Sequence, residues 1–232
     1  MRGLRQRVGS HRIERVADDI FLLRGRPRNA INVYLAGEVL VDAGIRGAHK
    51  RILPQLAGRT VSAHALTHAH PDHYGSSHAV CDALGIPLWC GERDAPVAEG
   101  HQAPQPGAGP AAALVSRQPL PDPHPVERRL RAGDEVGDFA VLDAPGHSPG
   151  HVAYWREADR TLICGDVLFN IRLPTLRPGL REPFKAVTPD PARNRESART
   201  LAELKPRLVL FGHGPPLHDG DAFGRFVASL GS

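Results

Sequence analysis

Four side chains able to bind a metal fall within the six residues His68-Ala69-His70-Pro71-Asp72-His73. No ordinary folding requirement asks for that density. Imidazole nitrogen and carboxylate oxygen are ligands that Zn²⁺, Fe²⁺ and Mn²⁺ accept, and the absence of a nearby thiolate cage favours a catalytic centre over a closed structural one. The preceding run Ala63 to Thr67 is short and mostly apolar, so it predicts a buried strand whose carboxyl end delivers the motif. On an extended backbone His68 and His70, two apart, point the same way. Pro71 then stops the strand. Asp72 and His73 open the segment Tyr74 to Leu84, whose Ala, Val and Leu positions suit a helix ended by Gly85. The motif is therefore expected in a strand-to-helix loop, a usual place for the sites of α/β proteins.

The chain has 232 residues, enough for a substantial core, and is read as one domain spanning residues 1–232. Its composition, 41% hydrophobic with 24 Gly and 22 Pro, describes a loop-rich globular protein. The formal charge of +4 is spread along the chain with no aromatic-interleaved basic motif, which argues against nucleic-acid binding. Cys81, Cys90 and Cys164 form no C-x-x-C pair, and their odd number argues against a disulfide framework and for a reducing, cytoplasmic setting. The basic start Met1 to Arg5 leads into no apolar segment, and no apolar run reaches membrane-spanning length, so neither export nor membrane association is expected.

Short apolar runs at Ile13 to Val16, Ile20 to Leu23, Ile31 to Leu35 and Val39 to Val41 read as a β-meander closed by Asp42-Ala43-Gly44. Residues 47–57 read as a helix, Ile86 to Cys90 as a strand and residues 92–99 as a short helix. Seven prolines between Pro104 and Pro125 exclude regular structure and predict an extended loop, either a lid beside the substrate or a loose connection. Strands follow at Phe139 to Leu142, His151 to Trp155 and Thr161 to Cys164. A helix from Pro191 to Leu204, the strand Leu208 to Phe211 and a short C-terminal helix complete the expected elements.

A metal centre needs ligands from distant parts of the sequence. Three further places qualify, each where a strand ends beside glycine: His147 in Pro145-Gly146-His147-Ser148-Pro149-Gly150-His151, Asp166 in Cys164-Gly165-Asp166, and His213 in Gly212-His213-Gly214. Taken in order, H-A-H-P-D-H, P-G-H-S-P-G-H, C-G-D and G-H-G resemble the metallo-β-lactamase superfamily over nearly the whole chain. That resemblance implies an α/β fold, a four-layered αββα sandwich with a metal cleft at one edge between two sheets. It also implies two divalent metal ions, most simply Zn²⁺, with Fe or Mn as alternatives. His68, His70 and His147 would hold the first ion, Asp72, His73 and His213 the second, and Asp166 would bridge them. Two such ions about 3.5 to 4 Å apart share a water and lower its pKa toward neutrality, which makes hydroxide the expected nucleophile. Asp72 is the expected catalytic residue, orienting that water and passing a proton to the leaving group.

The superfamily spans many reactions, and departures narrow them. An acidic bridging ligand resembles the thioesterase and lactonase branches more than true β-lactamases. Phe169, three residues beyond Asp166, stands where quorum-type lactonases commonly carry Tyr, which weakens that reading. About nineteen residues follow His213, short of the helical substrate domain of glyoxalase II-type enzymes. The leading expectation is hydrolysis of a small-molecule carboxylic ester, thioester or lactone. A mononuclear iron oxygenase resembling persulfide dioxygenase, using His68, His147 and Asp166, is the second. A metal-binding member without activity is the third.

Other candidates have plainer readings. His11, His49, His101, His124 and His218 read as surface or turn residues, His64 as a packed strand residue and Cys164 as a small buried one. His78 and His151 read as structural, with a supporting contact behind the ligands as the alternative. Arg172, Arg177, Arg181, Lys185, Arg193, Arg195 and Arg199 read as a solvated basic face, the alternative being a rim for an anionic substrate.

Overall fold

The computed structural model describes residues 13–231 apart from 116, 118, 173 and 174. His11 and the start Met1 to Arg5 lie outside the described residues. The first sheet orders its strands as in the sequence: β1 (Glu14–Ala17), β2 (Ile20–Leu22), β3 (Tyr34–Ala36), β4 (Val39–Val41), β5 (Ala63–Ala65), β6 (Leu88–Gly91) and β7 (Arg128–Leu130). β1 to β4 pair antiparallel, as the meander predicts, and β4 to β7 pair parallel. Their connections carry α1 (His49–Leu56), α2 (Pro71–Tyr74), α3 (Ser77–Leu84), α4 (Ala95–Ala98) and α5 (Pro110–Val115).

The second sheet begins with β8 (Glu135–Val136), β9 (Phe139–Asp143), β10 (Val152–Arg156) and β11 (Thr161–Gly165), consecutive and antiparallel. A separate hairpin, β12 (Phe169–Arg172) and β13 (Arg177–Arg181), follows. After α6 (Pro191–Glu203), β14 (Leu208–Phe211) returns parallel to β11, and α7 (Gly220–Ala228) follows it.

The layering follows from period-two alternation, which sends successive strand residues to opposite faces. In β3 and β4, Tyr34, Ala36, Val39 and Val41 point into a core shared by the two sheets, while Leu35 and Leu40 pack under α1 and α3 with Ile52, Leu56 and Val80. In β10 and β14, Val152, Tyr154, Leu208 and Leu210 enter the shared core, whereas Ala153, Trp155, Val209 and Phe211 meet α6 and α7 through Ala198, Leu201, Phe223 and Val227. Both faces of each sheet are thus covered, and the order is helix, sheet, sheet, helix. Among the described residues no helix is long and apolar enough to cross a membrane. All three cysteines are buried and free.

Several boundaries differ from the sequence expectations. β5 ends at Ala65, so His68 and His70 stand on irregular chain beyond the strand. The helix expected over Tyr74 to Leu84 is two, α2 and α3, divided at Ser76, whose φ of −117° and ψ of 10° leave the helical region. The proline-rich segment was expected to hold no regular structure, yet α5 forms in it. Pro110 occupies the helix start, where a missing N–H is harmless, and residues 111–115 are free of proline.

Candidate metal centre

Every candidate ligand follows the carboxyl end of a strand. Beyond β5 come His68, His70, Asp72 and His73; beyond β9, His147; beyond β11, Asp166; and beyond β14, His213. The parallel pairings β4 to β5 and β11 to β14 bring these ends to one edge of the sandwich. There the seven residues converge. His68, His70 and His147 form one group, Asp72, His73 and His213 another, and His68, His73 and Asp166 a third that joins them, with ligand atoms in each group within 4.8 Å of one another. The Asp166 carboxylate is central. Its Oδ2 lies 3.3 Å from His73 Nε2, 3.4 Å from His147 Nε2, 3.1 Å from His213 Nε2 and 3.9 Å from His68 Nε2.

A donor set fits a cation when lone pairs, not N–H groups, face inward, and the partners behind three of the imidazoles favour that. The Thr67 hydroxyl gives its hydrogen to Asp42, at 2.9 Å, and so accepts from His68 Nδ1 at 3.0 Å, which turns the lone pair of Nε2 to the cluster. His73 Nδ1 donates to Asp42 Oδ2 at 2.8 Å and His213 Nδ1 donates to the Ala30 carbonyl, while His147 Nδ1 shares a hydrogen bond of 3.1 Å with the Thr188 hydroxyl. Among the described residues His68 Nε2 and Asp166 Oδ1 are buried with no hydrogen-bond partner. Orphaned polar atoms are rare in protein interiors, and these two of the seven found among the described residues sit inside the donor groups. The residues therefore fit divalent metal binding.

Electrostatics agree with the donor set. Burial pushes His68 well below the usual imidazole range, aided by His73, His70 and His147. Burial, reinforced by His147, lowers His70 to about 3. Around the carboxylates the balance reverses. Burial opposes protonation of His213, but Asp166 and Asp72 outweigh it and raise the group to about 10. His73 is likewise raised, against burial, by Asp166, Asp42 and Asp72. Asp166 and Asp72 are held below the carboxylate range, against burial, by His213 and His73. The cluster thus attracts positive charge while keeping His68 and His70 neutral.

Sequence reasoning missed most of the support. Asp42, read as a turn residue, takes hydrogen bonds from the Thr67 amide and hydroxyl and from His73. Asp94 accepts from the Ala69 amide at 2.9 Å, the Ser148 hydroxyl at 2.6 Å and the Gly150 amide at 2.7 Å, tying the two histidine loops together. No local signal marked Asp42, because the parallel pairing of its strand with the one that carries the motif is seen only in the fold. His151 takes the supporting role: its Nε2 accepts from the Asp166 amide at 3.0 Å and its ring stacks on His68. His78 does not, pairing instead with His124 on the surface. His64 is packed as expected, between the Leu40 carbonyl and the Ser77 hydroxyl. Gly212 matters through its lack of a side chain. A Cβ there would lie 2.1 Å from Asp166 Oδ1 and 2.6 Å from His73 Cε1.

Beside the cluster opens a cavity of about 460 Å³, with His70, Asp72, His147, Asp166 and His213 on one wall. Pro104, Pro106, Pro119 and Pro121 of the proline-rich segment line another, so that segment flanks the site. Backbone bonds from Gly107 to Ala186 and from Ala108 to Lys185 hold it in place. Among the described residues none of the arginines between Arg172 and Arg199 lines the cavity, although Arg181 stacks on Phe184, which does.

Residues 26–213, a span holding all seven candidate ligands, match the family model described as the metallo-beta-lactamase superfamily. The chain belongs to that superfamily. Its fold is the αββα sandwich that the motifs imply. This superfamily member is 29% identical over 201 residues to a probable metallo-hydrolase, YflN of Bacillus subtilis, covering 77% of this chain and 76% of the relative. It is 27% identical to a hydroxyacylglutathione hydrolase of Bdellovibrio bacteriovorus over 63% of this chain and 46% of the relative. Among solved structures it resembles TTHA1623 in a di-iron-bound form, with a TM-score of 0.61, 29% identity, and coverage of 91% of this chain and 92% of that one.

Proposed function

We propose that this protein is a dinuclear metal-dependent hydrolase of a carboxylic ester, thioester or lactone. The observation that carries the reading is the continuity of the donor groups, in which His68, His73 and Asp166 join a histidine triad to an Asp72, His73 and His213 triad at the wall of a cavity. His68, His70 and His147 would hold one ion, Asp72, His73 and His213 the other, and Asp166 both. Zinc is the simplest occupant, and the di-iron form of a similar structure makes iron the alternative to discriminate. When bound, such ions acidify a water and polarise an acyl oxygen.

The chain's own residues do the rest. Asp166, buried among four imidazoles, fixes the spacing of the two triads. Asp72 is the half-buried carboxylate of the set and borders the cavity, with Oδ2 3.3 Å from His213 Nε2. It can take the proton of the attacking water and return it to the leaving oxygen or sulfur, so that a C–O bond forms and the acyl bond breaks with charge balanced. Phe169 offers no donor to a carbonyl oxygen; its ring packs against His213 at 4.6 Å and closes that side of the site. A mononuclear oxygenase using His68, His147 and Asp166 leaves the buried His73 and His213 without a role. Asp72→Ala should retain the folded far-UV spectrum and lose at least a hundredfold in kcat on any ester or thioester turned over. Wild-type turnover in that variant would contradict the assignment.

A further inference from the structure

Five large apolar side chains are exposed among the described residues, and three of them, Ile45, Leu120 and Phe184 at 47%, 42% and 39%, border the cavity beside the candidate ligands. Solvent-facing side chains of this type scatter singly on an ordinary surface, so their concentration around one opening marks a place that apolar matter enters. The inner lining continues the pattern with Phe169, Val187 and the prolines of residues 104–121. Among the described residues Arg46 is the one cationic chain residue other than histidine on this lining, and its guanidinium is bonded to Asp122 of the proline-rich segment. Arg181 stacks on the outer side of Phe184, 4.5 Å from the ring, and does not line the cavity. The remaining charged groups on the lining, Asp72, Asp166 and His213, belong to the candidate metal ligands at one wall. The volume, about 460 Å³, lies in the range of small-molecule sites.

From the grouping of Ile45, Leu120, Phe169, Phe184 and Val187 in a cavity that, away from the candidate metal ligands, offers no free cation among the described residues, we infer that the substrate presents an uncharged, apolar acyl chain to it. This inference rests on the hydrolase reading for the chemical link, an acyl bond placed at the ligand wall, while the identity of the bound group comes from the opposite walls. An anionic group at the far end of that chain would lose water against this lining without gaining a partner.

Two measurements test it on the metal-loaded protein. The first is kcat/KM for p-nitrophenyl acetate, butyrate and hexanoate, with the mono-p-nitrophenyl ester of adipate as the charged counterpart of hexanoate. Each added methylene should raise kcat/KM about threefold to fourfold, and the adipate ester should fall at least tenfold below hexanoate. Leu120→Asp should reduce the hexanoate-to-acetate ratio at least tenfold, whereas Leu84→Asp and Leu176→Asp, exposed leucines outside the cavity, should leave it unchanged. The second needs no turnover: displacement of the neutral fluorophore N-phenyl-1-naphthylamine by acetamide, butanamide and hexanamide, whose affinities should rise by the same factor per methylene. Flat chain-length dependence in binding, or adipate hydrolysed as well as hexanoate, overturns the apolar-acyl inference and leaves the hydrolase reading standing. Graded binding without hydrolysis of any ester, thioester or lactone supports the apolar site and overturns the hydrolase reading.

Discussion

Asp42 holds two branches of the metal centre at once, accepting from His73 Nδ1 at 2.8 Å and from the Thr67 hydroxyl that orients His68. It does so from a left-handed backbone, φ 61°, a conformation that Asn also tolerates. Asp42→Asn should therefore fold, and lose about 10-fold to 100-fold in metal affinity, read by competition with a chromophoric chelator. Unchanged affinity would show that the carboxylate does not orient the ligands. His64 makes a second prediction. Burial lowers it from 6.5 to about 4 in the folded chain, against the pull of the Leu40 carbonyl and Asp42. The unfolded chain then binds more protons between those values, so the stability due to neutral His64 is present above pH 6.5 and is lost as pH falls toward 4. Between pH 7 and pH 5 the loss is about 2 kcal/mol. Urea unfolding of His64→Gln should show a drop between those pH values smaller than that of the parent by this amount; equal drops would contradict it. At this scale the convergence of the seven candidate positions was legible, because the motifs that carry them stand where strands give way to turns. Asp42, Thr67, Asp94 and Thr188 were not, since a polar residue near a turn carries no local mark of what it will meet across the fold.

Strand ends, rather than strands, make the site, and elements were legible to the degree that burial dictated their pattern. β4, β9, β11 and β14, with buried alternating or continuous apolar runs, stand close to where the sequence places them. β7 and β13 did not show in the sequence: Arg128-Arg129-Leu130 has one buried residue, and Arg177-Pro178-Gly179-Leu180-Arg181 reads as a turn. The turn between β14 and its histidine carries a prediction. Gly212→Ala would place a methyl group against Asp166 and His73, whereas Gly224→Ala, with nothing within 4 Å in α7, meets only solvent. Metal retained after gel filtration should fall at least tenfold in the first, while the second should retain metal and gain about 0.5 to 1 kcal/mol from helix propensity. Full metal retention by Gly212→Ala would mean that the site tolerates displacement of its central carboxylate.

Across the whole molecule, the first sheet contributes His68, His70, Asp72 and His73 and the second contributes His147, Asp166 and His213, so the centre spans both halves of the sandwich. The αββα architecture was legible because the motif order carries it. The cavity was not. Its walls join Arg46 to Asp122, Gly107 to Ala186 and Phe169 to Phe184, contacts between segments that local pattern cannot pair. The central claim is that seven converging ligands work as a two-ion hydrolytic centre. The direct measurement is stepwise return of Zn²⁺ or Fe²⁺ to chelator-stripped protein, with ester and thioester hydrolysis and oxygen uptake followed at each step. Hydrolysis saturating at two ions per chain, without oxygen uptake, is the expected result; saturation at one iron, with oxygen consumed and no hydrolysis, would contradict the account.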